Sequence, residues 1–541
     1  MKSFVPKALV AVFVASLLPI YWIAFHAPAV GIYHDDGIYL VTAKALAEGK
    51  GYRIISLPEE PPQTKYPILF PAVLSAAWMI FPKFPDNALF LKTIPLLSAI
   101  LWLWLSYKLI REETGSHDVA LWIVLLTAAS SWVVFFSTTF MSETFFSCFA
   151  AGALIWLKRL EGTGNGERIS WPLLLATVLV AASFLTRTVG TPLVAAGAVS
   201  LFHRRKYVPC LMFLFGFAVL AAPWFWWQAV HGDLNRPIES YYTFSNYKGW
   251  NILFNYTVEQ KIRVLLTNIL NLLFSPIKLL NMNGNVASIS ISLVLALLTF
   301  VGFIRDMRQN VRSLYLFILF YFITIMMWVW PQDRFVVPVI PFLLLFAYKE
   351  LSRICCKLFQ SKTLRSSATF ILGIFISIPL VYNLFLCTKE TMKQHAVSLS
   401  FVPSIYGQDN WENTRDLLDW IRQNTSQDSI VLGNLDPTYY LYTGRKSVRS
   451  FYDDPYLLFF SEKPETAMGQ VSDLVQRVVA YRIKYIIRTP SIFYREGPIF
   501  NKILDRFIFC YPEALHLVKE GSDPSYKVYE VDQGKLLQAL H

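Results

Sequence analysis

The chain has 541 residues, of which 55% are hydrophobic and 16% charged, with a formal net charge of +12 and a mean hydropathy of +0.42. A soluble protein of this length carries about a quarter charged residues, so the composition excludes a disordered chain and an ordinary cytosolic enzyme and gives a polytopic membrane protein. The basic residues fall in short clusters between apolar runs and form no single polar face, which speaks for orientation in a bilayer and against nucleic acid as a partner.

The first apolar run, residues 6–25, follows Lys2 and Lys7 and is longer than the core of a signal peptide, so it reads as a retained membrane anchor. The loop of residues 29–86 comes next. From Asp35 and Asp36 onward, Ile38, Val41 and Ala45 fall on one stripe of a surface helix that Gly49 ends. One of the two acids could simply cap that helix, where a carboxylate is worth about 1 kcal/mol. In Lys65-Tyr66-Pro67, continuing to Pro71, the prolines hold the chain extended and start a second surface helix, with Lys65 free to reach phosphate headgroups.

Ten further spans are expected, at 87–110, 119–138, 142–158, 171–188, 190–203, 207–229, 286–304, 313–331, 335–349 and 367–387. With the N-terminus cytoplasmic, the inside loops carry Lys108/Arg111, Lys158/Arg159/Arg168, Arg204/Arg205/Lys206, Arg305/Arg308/Arg312 and Lys349/Arg353/Lys357/Lys362/Arg365. The outside turns carry little beyond Arg187 and Arg334, as the positive-inside rule requires. Eleven spans place residues 29–86, 230–285 and the tail from 388 on the outer side. In the second of these loops, Val258, Ile262, Leu265, Ile269 and Leu273 make an apolar stripe between Tyr256 and Phe274. That stripe reads as an interfacial helix roofing the substrate cavity, with packing against the tail as the plainer alternative.

The tail, 388–541, reads as a small extracytoplasmic α/β domain, and residues 1–387 as the membrane domain. Its expected elements are helices at 411–424, 466–482 and 498–510, strands at 429–432 and 485–488, and a hairpin over 516–531 turning at 521–524. Cys387 and Cys510 both fall outside and could pair, while no Cys/His cluster suggests zinc.

Glu143 stands at an outer helix start within an apolar stretch, where an ionisable group faces the bundle interior or an aqueous cavity unless it is simply a solvated first-turn acid. Arg187 and Arg334 stand at helix ends on the same side; headgroup snorkelling would account for the first, and charge balance with Asp333 for the second.

Taken together, a first span followed by Asp35-Asp36-x-x-Tyr39, the Gly49–Tyr52 turn and Lys65-Tyr66-Pro67-x-x-x-Pro71 resembles the GT-C membrane glycosyltransferases. The branch it looks most like is the protein O-mannosyltransferase and lipid A aminoarabinose transferase group. Met141-Ser142-Glu143, Thr186-Arg187, Asp333-Arg334 with Pro338 and Pro341, and Tyr442-Thr443-Gly444-Arg445 continue the resemblance over nearly the whole chain. It implies a GT-C fold and an inverting transfer of a sugar from a polyprenyl-monophosphate donor to a hydroxyl acceptor on the outer face. By position in the family pattern Asp35 is the base and Asp36 its neighbour, with Glu143 completing the acidic set. Lys65, Arg187 and Arg334 are the donor-phosphate contacts, and Tyr39 and Tyr66 the substrate contacts.

The physical chemistry agrees. A lipid-linked sugar phosphate lies at the interface, phosphate leaves without a general acid, a base must take the acceptor proton, and cations must hold the growing charge. No cofactor is required on this reading, although Mg²⁺ or Mn²⁺ could bridge Asp35, Asp36 and Glu143. The tail lacks the Trp-Trp-Asp motif that oligosaccharyltransferases carry in their soluble domain; the chain has no D-x-D triplet, which argues against metal-dependent nucleotide-sugar enzymes, and no Walker A sequence, which argues against ATP-driven transport. The alternative function is a transporter or flippase, suggested by the broken stretch Ser183–Pro192.

Overall fold

The computed structural model describes residues 7–162, 170–232, 254–276, 286–330, 333–359, 361–398, 410–449, 455–461, 471–490 and 496–540. Residues 233–253 and 277–285 of the second large loop, 466–470 of the expected tail helix, and the side chain of Asp333 lie outside the described residues.

The chain is mostly helical. Helices α1 (Lys7–Phe25), α2 (Asp35–Ala47), α3 (Leu69–Ile80), α4 (Ala88–Thr114), α5 (His117–Ala128), α6 (Ser131–Thr138), α7 (Glu143–Gly162), α8 (Trp171–Thr186), α9 (Thr191–His203) and α10 (Tyr207–His231) are followed by the long helices Val286–Gln309, Ser313–Met326, Ile340–Leu358 and Lys362–Gln394. Among the described residues, four helices are long and apolar enough to cross a membrane, a fifth if α5 and α6 count as one. The expected span 119–138 is not straight: α5 and α6 meet at 68°, because Ser130 takes extended dihedrals and starts α6 anew.

The basic loops expected to share one side do share one end of the bundle, tied by buried acids. Glu113 at the end of α4 pairs with Lys158 at 2.8 Å and Arg312 at 3.3 Å, Asp306 with Lys349 at 2.8 Å and with Arg353, and Glu350 with Arg305 at 2.7 Å.

The helix Val258–Leu273 forms behind a Thr257/Gln260 capping box. It does not roof the site. Its buried face centres on Val264 and Asn268, while Val258, Ile262, Leu266 and Leu270 are more than half exposed. Asn268 Nδ2 donates to the carbonyls of Met326 and Trp328, Arg263 donates to the Phe460 carbonyl, and the Tyr256 ring meets that of Tyr456 edge-on at 5.2 Å. Packing against the bundle and the tail is therefore what this helix does. Lipid is as apolar as leucine, so an apolar stripe here need not face protein.

The tail holds a five-stranded sheet in the order β2-β1-β3-β5-β4, with β1 (Val431–Gly433), β2 (Ser447–Arg449) and β3 (Tyr485–Arg488) parallel and β4 (Leu515–Glu520) and β5 (Lys527–Val531) antiparallel. The helices Trp411–Asn424, Val471–Ala480 and Glu496–Cys510 fall where the sequence puts them. Strand β2, the helix Asp436–Thr443 and the final helix Gln533–Leu540 were not anticipated. Cys387 is buried, Cys510 exposed, and the two are not bonded.

The unanticipated helix Asp436–Thr443 matters because it is inserted into the first loop. Tyr440 and Leu441 belong to the same buried cluster as Ile38 and Val41 of α2 and Phe70 of α3. Thr438 Oγ1 donates to the Gly31 carbonyl at 2.5 Å, and Lys446 Nζ to the Ile55 carbonyl at 2.6 Å. Gly37 lies against Pro437 so closely that a Cβ would stand 2.8 Å from the proline Cβ and 2.7 Å from the Gly31 oxygen. Gly37→Ala should therefore cost about 1–3 kcal/mol by overpacking. A thermal unfolding midpoint equal to that of the wild type would show that the two surfaces are not so tightly joined.

Candidate active site

The first acid of α2 reaches its place through a turn. The Asp35 N–H donates to the Tyr33 carbonyl at 2.8 Å across His34, whose φ is 62°. Successive helical residues point about 100° apart, so the two acids diverge.

Asp35 enters a cavity of about 490 Å³. One carboxylate oxygen accepts from the Tyr66 hydroxyl at 2.5 Å and the other from Arg334 NH1 at 2.5 Å. Burial acts to raise the Asp35 pKa, but the charges of Arg334 and Lys65 and the Tyr66 bond outweigh it and hold the group well below the usual carboxylate range.

Asp36 turns the other way, which corrects the expectation that it shares the catalytic site. Its oxygens accept from the amides of Tyr33 and Gly37 at 2.8 Å and of Gly31 at 2.9 Å, and it does not line the cavity. Burial pushes it up to about 7, against those three donors. It shapes the turn.

Lys65 lines the same cavity, with Nζ 5.2 Å from the Tyr66 ring and 5.7 Å from that of Trp330. Pro67 keeps this stretch extended, and neighbours pin it: Gln63 Oε1 accepts from the Lys65 amide at 2.8 Å, while Gln228 Nε2 on α10 donates to the Thr64 carbonyl at 2.8 Å. Arg187 closes α8 in extended conformation and donates to Ser142 Oγ at 3.0 Å, which in turn meets the Tyr39 hydroxyl at 2.9 Å. Arg334 projects from the short 3-10 segment Asp333–Val339. The two guanidinium groups lie 5.3 Å and 5.4 Å from the ring of Phe335.

Glu143, at the start of α7, is 1% exposed and stands behind the arginines rather than in the cavity. Its Oε1 lies 2.7 Å from Arg187 NH1 and 3.8 Å from Arg334 Nε. This corrects its expected place among groups that touch substrate: Glu143 aims Arg187. With Asp36 bound to amides and Glu143 paired to Arg187, the three carboxylates do not converge on one point as the oxygen shell of Mg²⁺ or Mn²⁺ requires. Among the described residues no group of three His, Cys, Asp or Glu forms such a cluster.

Asp35, Tyr39, Lys65, Tyr66, Arg187 and Arg334 thus surround one cavity, drawn from three distant stretches of chain. The contributions of Gln63 and Gln228 carry no signal in the sequence, since each is an ordinary polar residue whose partner is set only by the fold, while Ser142 stands inside the Met141-Ser142-Glu143 motif with its link to Tyr39 and Arg187 visible only in the fold.

A bundle of apolar helices with surface helices, a long first loop and a terminal α/β sheet gathered over one end defines an integral membrane protein of the GT-C fold. Among solved structures, the chain matches the lipid A aminoarabinose transferase ArnT from Cupriavidus metallidurans bound to undecaprenyl phosphate, with a TM-score of 0.56 and 12% identity over 97% of this chain and 98% of that one. The apo state of the same protein matches with a TM-score of 0.54 and 11% identity, over 98% and 99%. The Archaeoglobus fulgidus oligosaccharyltransferase tethered to an acceptor peptide matches with a TM-score of 0.53 and 11% identity, over 96% of this chain and 74% of that one. No protein-family model and no curated protein matches the sequence.

Proposed function

We propose that this chain is an inverting glycosyltransferase that moves a sugar from a polyprenyl-monophosphate donor to a hydroxyl acceptor on the outer face of the membrane. Eleven spans carry it, with the N-terminus cytoplasmic and residues 388–541 an extracytoplasmic domain on a membrane domain of residues 1–387. The observation that carries this reading is one ionised acid and three cations around a single cavity. One neighbour in fold, which holds undecaprenyl phosphate, supports the lipid half of it, and another, an oligosaccharyltransferase with an acceptor peptide, supports the transfer half.

In the reaction, an acceptor hydroxyl attacks the anomeric carbon from the face opposite the phosphate. Asp35 takes the hydroxyl proton as the new C–O bond forms. The bond from the anomeric carbon to the phosphate oxygen breaks, and its electron pair stays on the phosphate, where Lys65, Arg187 and Arg334 hold the added charge. Tyr66 and Tyr39 fix Asp35 and Ser142 by hydrogen bonds and offer ring edges to the sugar.

Purified protein incubated with polyprenyl-phosphate sugars should release polyprenyl phosphate, and absence of release with every donor would count against the enzyme. Lys65→Ala should weaken donor binding about 10- to 100-fold, the worth of a charge-assisted contact; an unchanged donor Kd would remove Lys65 from the phosphate. The transporter alternative draws on the break after Thr186, yet the arginine at that break is tied to Glu143. Movement of a lipid-linked sugar across vesicles without turnover would favour it.

A further inference from the structure

His34 precedes Asp35 and carries a backbone conformation that L side chains rarely adopt, with φ 62° and ψ −71°. The hydrogen bond from Asp35 N–H to the Tyr33 carbonyl closes around it a γ-turn of the strained, positive-φ kind. Glycine takes such a conformation freely, as Gly31 does three residues earlier at φ 77°. The chain instead places an imidazole there, 3% exposed. Strain of this kind persists only where surrounding contacts over-determine it.

Asp36 holds the backbone on both sides of His34 through the amides of Gly31, Tyr33 and Gly37, and a contact to the His34 side chain itself crosses the fold. Arg449 NH1, at the end of β2, stands 3.3 Å from His34 Nδ1. A guanidinium only donates, so Nδ1 accepts and the ring proton sits on Nε2. Burial and the Arg449 charge hold His34 well below its ordinary pKa, which keeps that neutral form. Arg449 is buried too, and its carbonyl accepts from Arg477 NH1 at 3.2 Å. His34 itself does not line the cavity.

We propose that His34 is a positioning residue: through the Arg449–His34 contact, the terminal sheet sets the direction in which the Asp35 carboxylate enters the cavity. This rests on the reaction proposed above, with Asp35 as base. The turn fixes where α2 begins and therefore which way its first side chain points. A sheet that grips the turn by its side chain grips Asp35 as well.

The test uses the full-length protein. His34→Gly deletes the imidazole while relieving the backbone, so a merely conformational role predicts equal or higher thermal stability and normal turnover. Positioning predicts that stability is kept while kcat for polyprenyl-phosphate release falls about 10- to 100-fold at little-changed donor KM, as a misdirected catalytic group would give. Arg449→Met should produce a comparable loss, and the double variant no more than either alone. His34→Asn, which tolerates positive φ and offers Arg449 an acceptor near the Nδ1 position, should recover part of kcat. Normal kcat in His34→Gly, or losses that multiply in the double variant, overturn the proposal. Should the wild type release nothing from any donor, the reaction falls, and positioning is read without turnover. The infrared carboxylate stretch of Asp35, isolated as the difference between wild type and Asp35→Asn, shifts in His34→Gly and returns in His34→Asn if the link sets its direction. An unmoved band overturns it.

Discussion

Asp35→Asn is expected to lower polyprenyl-phosphate release about 10²- to 10⁴-fold, the usual worth of a general base, in a protein that still folds and binds donor. The amide keeps the shape of the carboxylate and an acceptor for Tyr66, but it cannot take a proton from the acceptor hydroxyl. The resting site makes Asp35 a poor base, because Arg334 and Lys65 outweigh the effect of burial and hold its pKa low. A donor phosphate would compete for those same cations. Neutralising them would raise the Asp35 pKa and return its basicity, so in the reaction proposed above the donor would prepare the base. The sign of the pH dependence follows: in the free enzyme Asp35 stays ionised below about pH 4, so kcat/KM shows no acid limb from it above that value. In the donor complex the raised pKa moves the acid limb of kcat to higher pH. Coincident limbs in kcat and kcat/KM would mean that phosphate does not share the Asp35 partners, and normal turnover in Asp35→Asn would remove it from the base position.

What could be read from the sequence was whatever the bilayer imposes residue by residue. Apolar length gave helices, and the basic clusters gave one shared end, now seen joined through Glu113, Asp306 and Glu350. Charges stranded at helix ends, Asp35, Lys65, Arg187 and Arg334, converge because an apolar bundle offers them no other aqueous space. Direction was less legible. Neighbouring carboxylates on a helix cannot both face one cavity, so the divergence of Asp35 and Asp36 was implicit in their spacing, whereas the γ-turn that decides which of them enters has no sequence signature at His34. The helix Asp436–Thr443 did leave marks, with proline at its start and Gly444 in left-handed conformation at its end. The bend between α5 and α6 left none, having neither proline nor glycine to announce it.

The second large effect concerns Glu143, whose value lies in a charge it neutralises. Arg187 is 10% exposed and Glu143 1%, so the pair at 2.7 Å is nearly dry. Glu143→Gln keeps the side-chain volume but leaves Arg187 without its counter-charge, which should cost about 3–5 kcal/mol of stability, the usual penalty for breaking one half of a buried pair. Two opposed consequences for donor binding follow. The cavity gains a unit of positive charge, which favours phosphate, yet Arg187 loses the partner that aims it, which disfavours any specific contact. Replacing both members, Glu143→Leu with Arg187→Met, removes the stranded charge and should recover most of the stability, while donor affinity stays low because the guanidinium is gone. Denaturation and donor-binding measurements on the single and double variants separate these effects. If Glu143→Gln unfolds no more easily than the wild type, the pair is solvated, and Arg187 is held at the cavity by Ser142 rather than by the acid behind it.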